Sequence, residues 1–181
     1  MALGKHCSIL QIVGFQNSGK TTLMEKLISR AEQDGLNAAS IKHHGHGGFP
    51  NIDSSSKDSI RHYKSGAIVS SVEGGGVFQL SAKADNWSLK EIIKLYTFFP
   101  LNVIFIEGYK KESYPKVVLI RNEKDLSLLY SLTNVQCVIS HIELDKELLL
   151  KNHQVFHLNQ EKLYIDFLME EVVKKDGKKF I

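Results

Sequence analysis

Residues Gly14-Phe15-Gln16-Asn17-Ser18-Gly19-Lys20-Thr21 carry the pattern G-x-x-x-x-G-K-T near the start of the chain. The apolar run 9–13 that precedes the pattern is typical of a buried strand, and apolar residues at helical spacing follow it: Leu23, Leu27, Ile28 and Ala31. In this strand–loop–helix context the pattern binds phosphate, because backbone N–H groups curl around an anion at a helix N-terminus. The sequence therefore predicts a phosphate-binding P-loop.

An acidic residue, Glu107, ends the apolar run 103–106 and is the second strong feature of the sequence. A carboxylate at the end of a buried strand is the Walker-B arrangement, which holds Mg²⁺ or its water ligands. We expect Lys20 to reach the β- and γ-phosphates of a nucleotide and the Thr21 hydroxyl to face the Mg²⁺. The alternative is that Glu107 only ends the strand and binds no metal. Because the chain also has a P-loop, metal contact is the favoured interpretation.

The composition is that of an ordinary soluble globular protein, with 43% hydrophobic and 24% charged residues in a chain of 181. A net charge of +3 gives no argument for nucleic-acid binding, and no apolar run approaches the ~20 residues that cross a membrane. The N-terminal residues lack the apolar core of a signal peptide, so we expect a cytoplasmic protein. Cys7 and Cys137 are expected to be reduced and buried.

Strand-like and helix-like segments alternate along the chain, which predicts an α/β fold: a mostly parallel sheet flanked by helices, with an extra β-hairpin. We expect one P-loop domain over residues 1–181. The predicted strands cover residues 8–13, 38–42, 67–72, 77–80, 103–106, 117–120, 135–139 and 155–157. The predicted helices cover residues 20–33, 58–66, a segment capped by Ser88, and 160–173.

Ligands of a parallel sheet bind outside the carboxyl ends of its strands, so the residues after each predicted strand form one expected rim. The rim groups are the P-loop, Lys42-His43-His44, Glu107-Gly108, Ser140-His141 and, if their strand is parallel, Ser71, Val72, Glu73 and Gly74. We expect these groups to share one edge of the sheet.

Three histidines, His43, His44 and His46, follow the second predicted strand among glycines. Imidazoles in such a loop bind Zn²⁺ or Ni²⁺, and they also contact phosphate or an anionic substrate. Their spacing fits no standard zinc site and no cysteine stands nearby, so substrate contact is favoured over structural metal. A solvated loop is the third interpretation.

The start of the predicted helix 58–66 holds a weaker set of candidates. Asp58 is a candidate catalytic residue that orients a water or a substrate, and Arg61 is a candidate to meet phosphate. Asp53 and Lys57 belong to the same stretch, which in P-loop proteins often moves with the γ-phosphate. A solvated helix start explains these residues equally well.

Positive charge gathers just beyond Glu107, at Lys110, Lys111 and Lys116. These lysines either meet a phosphorylated substrate or belong to a solvated loop.

The base of the nucleotide is weakly marked. GTP-binding proteins often carry N-K-x-D, whose Asp pairs with the guanine edge, whereas Asn122-Glu123-Lys124-Asp125 has similar letters in the wrong order. We interpret that segment as a turn and a helix start. Ser140-His141 ends a late strand without the acid that guanine would favour, so these residues leave GTP and ATP open.

Several segments together resemble one family, the molybdopterin-guanine dinucleotide biosynthesis adaptor proteins (MobB), over nearly the whole chain up to residue 139. Beyond the P-loop, the resemblance rests on Ile41-Lys42-His43-His44, on Asp53 with Lys57-Asp58-Ser59, and on Ser65-Gly66-Ala67, Glu107-Gly108-Tyr109-Lys110 and Tyr114-Pro115-Lys116-Val117. A P-loop is shared with many families, whereas this combination is much more specific.

The resemblance implies a protein that binds GTP with Mg²⁺, hydrolyses it weakly at best, and assists the guanylyltransferase MobA. That enzyme joins GMP from GTP to molybdenum-bound molybdopterin, and whether the pterin contacts this chain stays open. The resemblance also implies a homodimer in which β-structure outside the nucleotide core takes part, with neither nucleic acid nor membrane as a partner.

Matching positions assign roles to individual residues. Phosphate contact is implied for Gly14, Asn17, Ser18, Gly19, Lys20, Thr21 and Thr22. Mg²⁺ contact is implied for Thr21 and Glu107. The implied rim candidates are His43, Asp58, Ser71, Val72, Glu73 and Gly74.

Two other functions remain as alternatives. One is a metal-insertion GTPase that carries Ni²⁺ or Zn²⁺ on His43, His44 and His46. The other is a small-molecule kinase with Asp58 as base and Lys110 or Arg61 on the substrate, against which the lack of an evident lid segment counts.

The expected dimer has a motivation in the sequence as well. Residues 67–82 and 109–121 are predicted β extensions that a compact P-loop core does not require. Because unpaired strand edges invite pairing between chains, we expect these extensions to take part in dimerisation.

Overall fold

The computed structural model of the protein describes residues 7–45, 58–144 and 153–173. Its strands are β1 (Ser8–Gly14), β2 (Ala38–Lys42), β3 (Val69–Gly74), β4 (Val77–Ala82), β5 (Val103–Glu107), β6 (Lys116–Ile120), β7 (Val135–Ser140) and β8 (Gln154–His157). Its α-helices are α1 (Lys20–Gln33), α2 (Asp58–Lys64), α3 (Leu89–Tyr96), α4 (Ser127–Ser131) and α5 (Glu161–Phe167). A 3-10 helix, Glu123–Leu126, precedes α4, and a π-helical segment, Leu168–Val173, continues α5.

The described residues pack as two compact units, and the organisation as one domain with β extensions stays a prediction. Of the described residues, the larger unit contains 7–43, 93–144 and 153–173, and the smaller unit contains 44–45 and 58–92. The larger unit therefore contains β1, β2 and β5 to β8, and the smaller unit contains β3 and β4.

The larger unit is built on a six-stranded sheet with the order β2-β5-β1-β6-β7-β8, in which every neighbouring pair is parallel. All residues of β1, β5 and β6 are buried, as expected for continuous apolar runs at the centre of a parallel sheet. The predicted α/β fold with a mostly parallel sheet is therefore confirmed.

Helix α1 packs its apolar face on this sheet, because its apolar residues recur at helical spacing. The core that it joins contains Leu10, Leu23, Leu27, Ala31 and Phe105. The helix begins at Lys20, directly after the glycine loop, and ends just before Gly35. Gly35 has a φ of +73°, the left-handed conformation that glycine supplies after a helix C-terminus. The predicted strand–loop–helix unit is confirmed.

The smaller unit contains the predicted hairpin, in which β3 and β4 pair antiparallel. Gly75 and Gly76 form its two-residue loop with φ of +59° and +79°, and a type I′ turn requires such a left-handed pair. Among the described residues β3 pairs only with β4, so the condition for placing Ser71, Val72, Glu73 and Gly74 at the rim of the parallel sheet is not met. Their contact with a nucleotide stays a prediction.

The expectation that the strand beginning at Lys116 is surplus to the core is wrong. β6 lies inside the sheet between β1 and β7, and both of its edges are hydrogen-bonded. An interior strand offers no free edge to a second copy of the chain. Of the two predicted extensions, the hairpin alone keeps the features that motivated a role in dimerisation.

Lys116 is fully buried, so the expectation that it meets a substrate or solvent is also wrong. Its ammonium donates hydrogen bonds to the carbonyl oxygens of Glu112, Tyr114 and Thr133 at 2.8, 2.9 and 2.8 Å. Burial lowers the pKa of Lys116 to about 8, which leaves the group mostly protonated at neutral pH and able to donate all three bonds. Lys116 therefore ties the loop before β6 to the segment before β7.

Two smaller expectations concern the cysteines and the membrane. Cys7 and Cys137 are buried free thiols, as predicted, and burial raises the pKa of Cys7 to about 11. Within the three described ranges, no helix combines the length and the apolar character needed to cross a bilayer. The cytoplasmic location stays a prediction.

We expect Lys116→Met to lower the free energy of unfolding by about 2–4 kcal/mol, because three buried carbonyl groups would lose their donor. Urea denaturation followed by circular dichroism measures the change. Lys111→Met is the matched control, since Lys111 is exposed and surface substitutions usually change stability by less than about 0.5 kcal/mol. Equal stability of the two variants would contradict the structural role of Lys116.

Candidate functional site

The G-x-x-x-x-G-K-T residues form a tight loop between the carboxyl end of β1 and the N-terminus of α1. Asn17 and Gly19 have φ of +60° and +91°, left-handed backbone that lets successive N–H groups form an anion-binding concavity. Gly14 is required where the loop leaves β1, because a Cβ there would lie 2.5 Å from Ser18 Oγ and 3.1 Å from the carbonyl oxygen of Leu119. The loop therefore has the shape and the location of an anion cradle.

Lys20 folds back over this loop, and its Nζ donates a hydrogen bond to the Phe15 carbonyl oxygen at 2.7 Å. Burial lowers the pKa of Lys20, and the carboxylate of Glu107 opposes that effect. The other cations close enough to lower this pKa further are Lys42, Lys110 and Arg121. A concentration of positive charge of this kind favours an anion that carries several negative charges.

Glu107 ends β5 and is 8% exposed, beside the first residues of α1. The Thr21 hydroxyl donates to Glu107 Oε2 at 3.3 Å, and Lys42 Nζ lies 3.4 Å from the same oxygen. Hydroxyl and carboxylate oxygens are ligands that Mg²⁺ prefers. The Lys42 side chain is largely exposed, so a metal ion can take its place beside the carboxylate. The structure thus brings together the two residues predicted to hold Mg²⁺.

The turn that follows Glu107 is held in place by hydrogen bonds from a buried side chain of β1. Gln11 is buried in that strand, and its side-chain amide donates to the carbonyl oxygens of Gly108 and Tyr109 at 3.0 and 2.9 Å. Gly108 has a φ of +94°, and a Cβ there would lie 3.0 Å from His43 Cβ. Tyr109 has a φ of +49°, and its ring centroid lies 4.5 Å from that of His43. His43 therefore lies at the predicted rim, packed on this turn.

A cavity of about 250 Å³ begins at Gly19 of the loop and runs between α1 and α5. Its polar lining comes from Thr22, Lys26, His141, Glu161 and Tyr164, and its apolar lining from Leu23, Leu119, Ile139 and Leu158. The His141 ring Nε2 lies 3.2 Å from the Ser18 carbonyl oxygen, which accepts its hydrogen bond. Lys26 and Glu161 form an ion pair at 2.6 Å. The cavity joins the phosphate loop to a pocket with both apolar walls and charged groups.

Two site residues went unrecognised in the sequence, Arg121 and Asp125. Arg121 donates to both carboxylate oxygens of Asp125, at 2.7 and 2.9 Å, and to the Gln16 carbonyl oxygen at 2.6 Å. Asp125 is 2% exposed, and the hydrogen bonds from Arg121 hold its pKa below the usual value. An arginine and an acid four residues apart were the only sequence signal, and many helices carry such a pair.

The weaker candidates belong to the smaller unit or fall outside the residues that the structure describes. Asp58 begins α2 in the smaller unit and pairs with Arg61 at 3.3 Å, with both side chains largely exposed, as a solvated helix start would be. A catalytic role for Asp58 stays a prediction. Within the described ranges, no three His, Cys, Asp or Glu side chains group as metal ligands. The remaining candidates His46, Asp53 and Lys57 lie outside the described residues.

Comparison with known proteins places the chain among close relatives. The family model described as "Molybdopterin guanine dinucleotide synthesis protein B" (MobB) matches residues 9–141. A probable molybdopterin-guanine dinucleotide biosynthesis adapter protein of Bacillus subtilis is 41% identical over 175 residues, which cover 95% of this chain and 97% of that protein.

Solved structures are similar over the same extent. The crystal structure of Bacillus subtilis MobB has a TM-score of 0.79 at 37% identity and covers 91% of this chain and 98% of its own. That of a MobB protein homolog from Bacillus stearothermophilus has a TM-score of 0.74 at 36% identity and covers 91% and 97%.

Proposed function

Because the chain belongs to the MobB family, we propose that it is a GTP-binding adapter in the maturation of the molybdenum cofactor. In this role it acts in the cytoplasm and assists the guanylyltransferase, MobA, that attaches GMP from GTP to molybdopterin. The observation that carries the proposal is the anion cradle of residues 14–21, with the Thr21 hydroxyl and the Glu107 carboxylate beside it.

The proposed complex places the nucleotide phosphates in the cradle. Backbone N–H groups of residues 17–22 surround them, and Lys20 leaves the Phe15 carbonyl to contact the β- and γ-phosphates. Thr21 and Glu107 would hold Mg²⁺ directly or through water, and the bound ion would neutralise part of the phosphate charge. The convergence of cations around Lys20 supports a ligand with the high negative charge of a triphosphate.

The cavity beside Gly19 is the proposed position of the nucleoside. Guanine presents two adjacent N–H donors on its pairing edge, which one carboxylate accepts together, whereas adenine presents one donor beside an acceptor. Glu161 supplies a carboxylate to the lining of this cavity, whereas the strand end at His141 supplies none. This carboxylate, which forms an ion pair with Lys26, supports GTP over ATP.

The hydrogen bonds of Arg121, which contacts the cradle, support weak hydrolysis of GTP. A free arginine at the γ-phosphate accelerates hydrolysis by about 10³–10⁵. Arg121 contacts the loop, but its guanidinium is already bonded to Asp125 and to the Gln16 carbonyl. An arginine fixed in this way shapes the loop and is not available to stabilise a transition state. We therefore infer that GTP bound in the cradle is hydrolysed slowly.

We expect Lys20→Ala to weaken GTP binding by about a hundredfold or more, because charge-assisted bonds to two phosphates are lost. Titration with labelled GTP in the presence of Mg²⁺ measures the affinity, and a thermal melt without nucleotide checks that the fold is intact. Lys124→Ala, at an exposed lysine of the 3-10 helix, is the control. Unchanged GTP affinity in the Lys20 variant would refute the phosphate site.

The adapter role predicts a physical partner. Immobilised protein incubated with lysate of its own cells, with GTP and Mg²⁺ present, is expected to retain the molybdenum cofactor guanylyltransferase, identified by mass spectrometry. A column that carries the affinity tag alone is the control. The adapter role would be contradicted if the immobilised protein stays intact but retains no guanylyltransferase, although the lysate itself contains detectable enzyme.

The proposed homodimer rests on the hairpin. Val69, Phe78 and Leu80 point to one face of the β3–β4 ribbon by their register, and they are 54%, 58% and 49% exposed. A two-stranded ribbon with an exposed apolar face is marginal in water by itself, and a second copy would cover that face. This supports a dimer that forms through the smaller unit.

We expect Phe78→Asp to convert the protein from dimer to monomer, because a carboxylate would be buried in the apolar contact. Multi-angle light scattering at micromolar concentration measures the mass. Gln79→Asp is the matched control, since the neighbouring side chain points to the opposite face of the ribbon. A wild-type protein that is monomeric under these conditions would end the dimer proposal.

A further inference from the structure

We propose that Lys110 is the residue through which this site distinguishes a nucleoside triphosphate from a diphosphate. The inference rests on the proposed function, since it requires a nucleotide at the P-loop. It begins from Phe15, the second residue of the loop motif, whose side chain is 37% exposed.

Phe15 has two cations beside its ring. Lys110 Nζ lies 4.3 Å from the ring centroid, and the guanidinium carbon of Arg121 lies 5.8 Å from it. Both distances are within the range of about 6 Å at which an aromatic ring attracts a cation. Asp125 balances the charge of Arg121 through two hydrogen bonds, whereas Lys110 has no hydrogen-bonded carboxylate among the described residues. The phosphate site is immediately adjacent, because Phe15 belongs to the loop that forms it.

The two cations are held in different ways. Arg121 is fixed by its bonds to Asp125 and to the Gln16 carbonyl. In the part of the chain that the structure describes, the Lys110 ammonium has neither a hydrogen bond nor an ion pair; it lies against the Phe15 ring and within electrostatic range of the Asp125 carboxylate. An ammonium on a flexible stem reorients easily. Lys110 is therefore the cation that can turn from the ring to a ligand.

The backbone that carries Lys110 is positioned independently of its side chain. Lys110 follows Tyr109, whose carbonyl and that of Gly108 are both held by the buried Gln11 amide. Lys110 also lies close enough to Lys20 to lower the pKa of that residue. Since Lys20 is expected at the β- and γ-phosphates, the Lys110 ammonium is within reach of the outermost phosphate.

This geometry gives Lys110 a ligand-dependent position. With a triphosphate bound, its ammonium leaves Phe15 and donates charge-assisted hydrogen bonds to oxygens of the terminal phosphate. A diphosphate has no oxygen at that place, so Lys110 keeps its contact with the ring. The lysine therefore contributes to the affinity for the triphosphate and adds little to the affinity for the diphosphate.

The test compares Lys110→Met with the wild-type chain, using fluorescent GTP and fluorescent GDP in separate titrations with Mg²⁺. We expect the GTP affinity to fall about tenfold, the size of one charge-assisted hydrogen bond, and the GDP affinity to change less than about twofold. Lys110→Arg is expected to retain the wild-type ratio of the two affinities. Lys111→Met, at the exposed neighbouring lysine, is expected to leave both affinities unchanged.

Each other outcome overturns the inference. If Lys110→Met weakens GTP and GDP equally, the residue acts on the loop as a whole and does not read the terminal phosphate. If it weakens neither, the contact with Phe15 has no bearing on the ligand. Lys110→Gln, which keeps a polar side chain, repeats the measurement should the methionine variant fold poorly. A wild-type protein that binds neither nucleotide would instead remove the proposed function itself.

Discussion

The close approach of the phosphate loop to β6 is the constraint on which the rest of the site depends. Gly14 is the last residue of β1 in register with β6, where it lies opposite Leu119. At that point the space for a side chain is already taken by Ser18 Oγ and by the Leu119 carbonyl oxygen. Only a residue without a Cβ lets the chain turn there. Because the loop turns so tightly, α1 can begin at Lys20 with its N-terminus directed at the hollow.

The strand order then determines which side chains meet at this loop. β1 lies between β5 and β6, so residues that follow either neighbour arrive beside the same turn. β5 ends with Glu107, in register with Ile12, and is followed by the turn that carries Lys110. β6 is followed by Arg121, which contacts the Gln16 carbonyl. The position of the Glu107 carboxylate and of the cations around Lys20 is thus a consequence of the topology as much as of the motif.

Much of this arrangement could be predicted from the sequence because the signals are local. The strand–loop–helix unit, the buried β5 with its terminal acid and the glycine turn of the hairpin each depend on a short run of residues with one physical requirement. Neighbours across the sheet are not encoded in this way. The run 117–120 is equally apolar for a surplus strand and for an interior one, so its place inside the sheet does not follow from its sequence.

The same limit applies to side chains whose partners are distant along the chain. Nothing in the spacing around Lys116 distinguishes a solvated lysine from one that donates to three carbonyl oxygens, including that of Thr133. The cavity is assembled from α1, from the ends of β6 and β7, and from the start of α5, so its acid, Glu161, has no local signature. The sequence predicts a turn and a helix start around Asp125, which lies in the 3-10 helix, but its pairing with Arg121 beside the phosphate loop depends on the fold.

The charges around the loop also bear on why such a protein would act as an adapter rather than as a fast enzyme. The proposed binding of a polyphosphate requires positive charge near the hollow, and Lys20, Lys42 and Lys110 supply that charge. Rapid hydrolysis requires in addition a charge placed against the transition state. Arg121 contacts the loop through the Gln16 carbonyl oxygen and donates its other side-chain hydrogen bonds to Asp125, so these bonds hold its guanidinium in place. In the proposed role, a site of this design holds GTP and hydrolyses it slowly, which suits a protein that presents GTP to a partner.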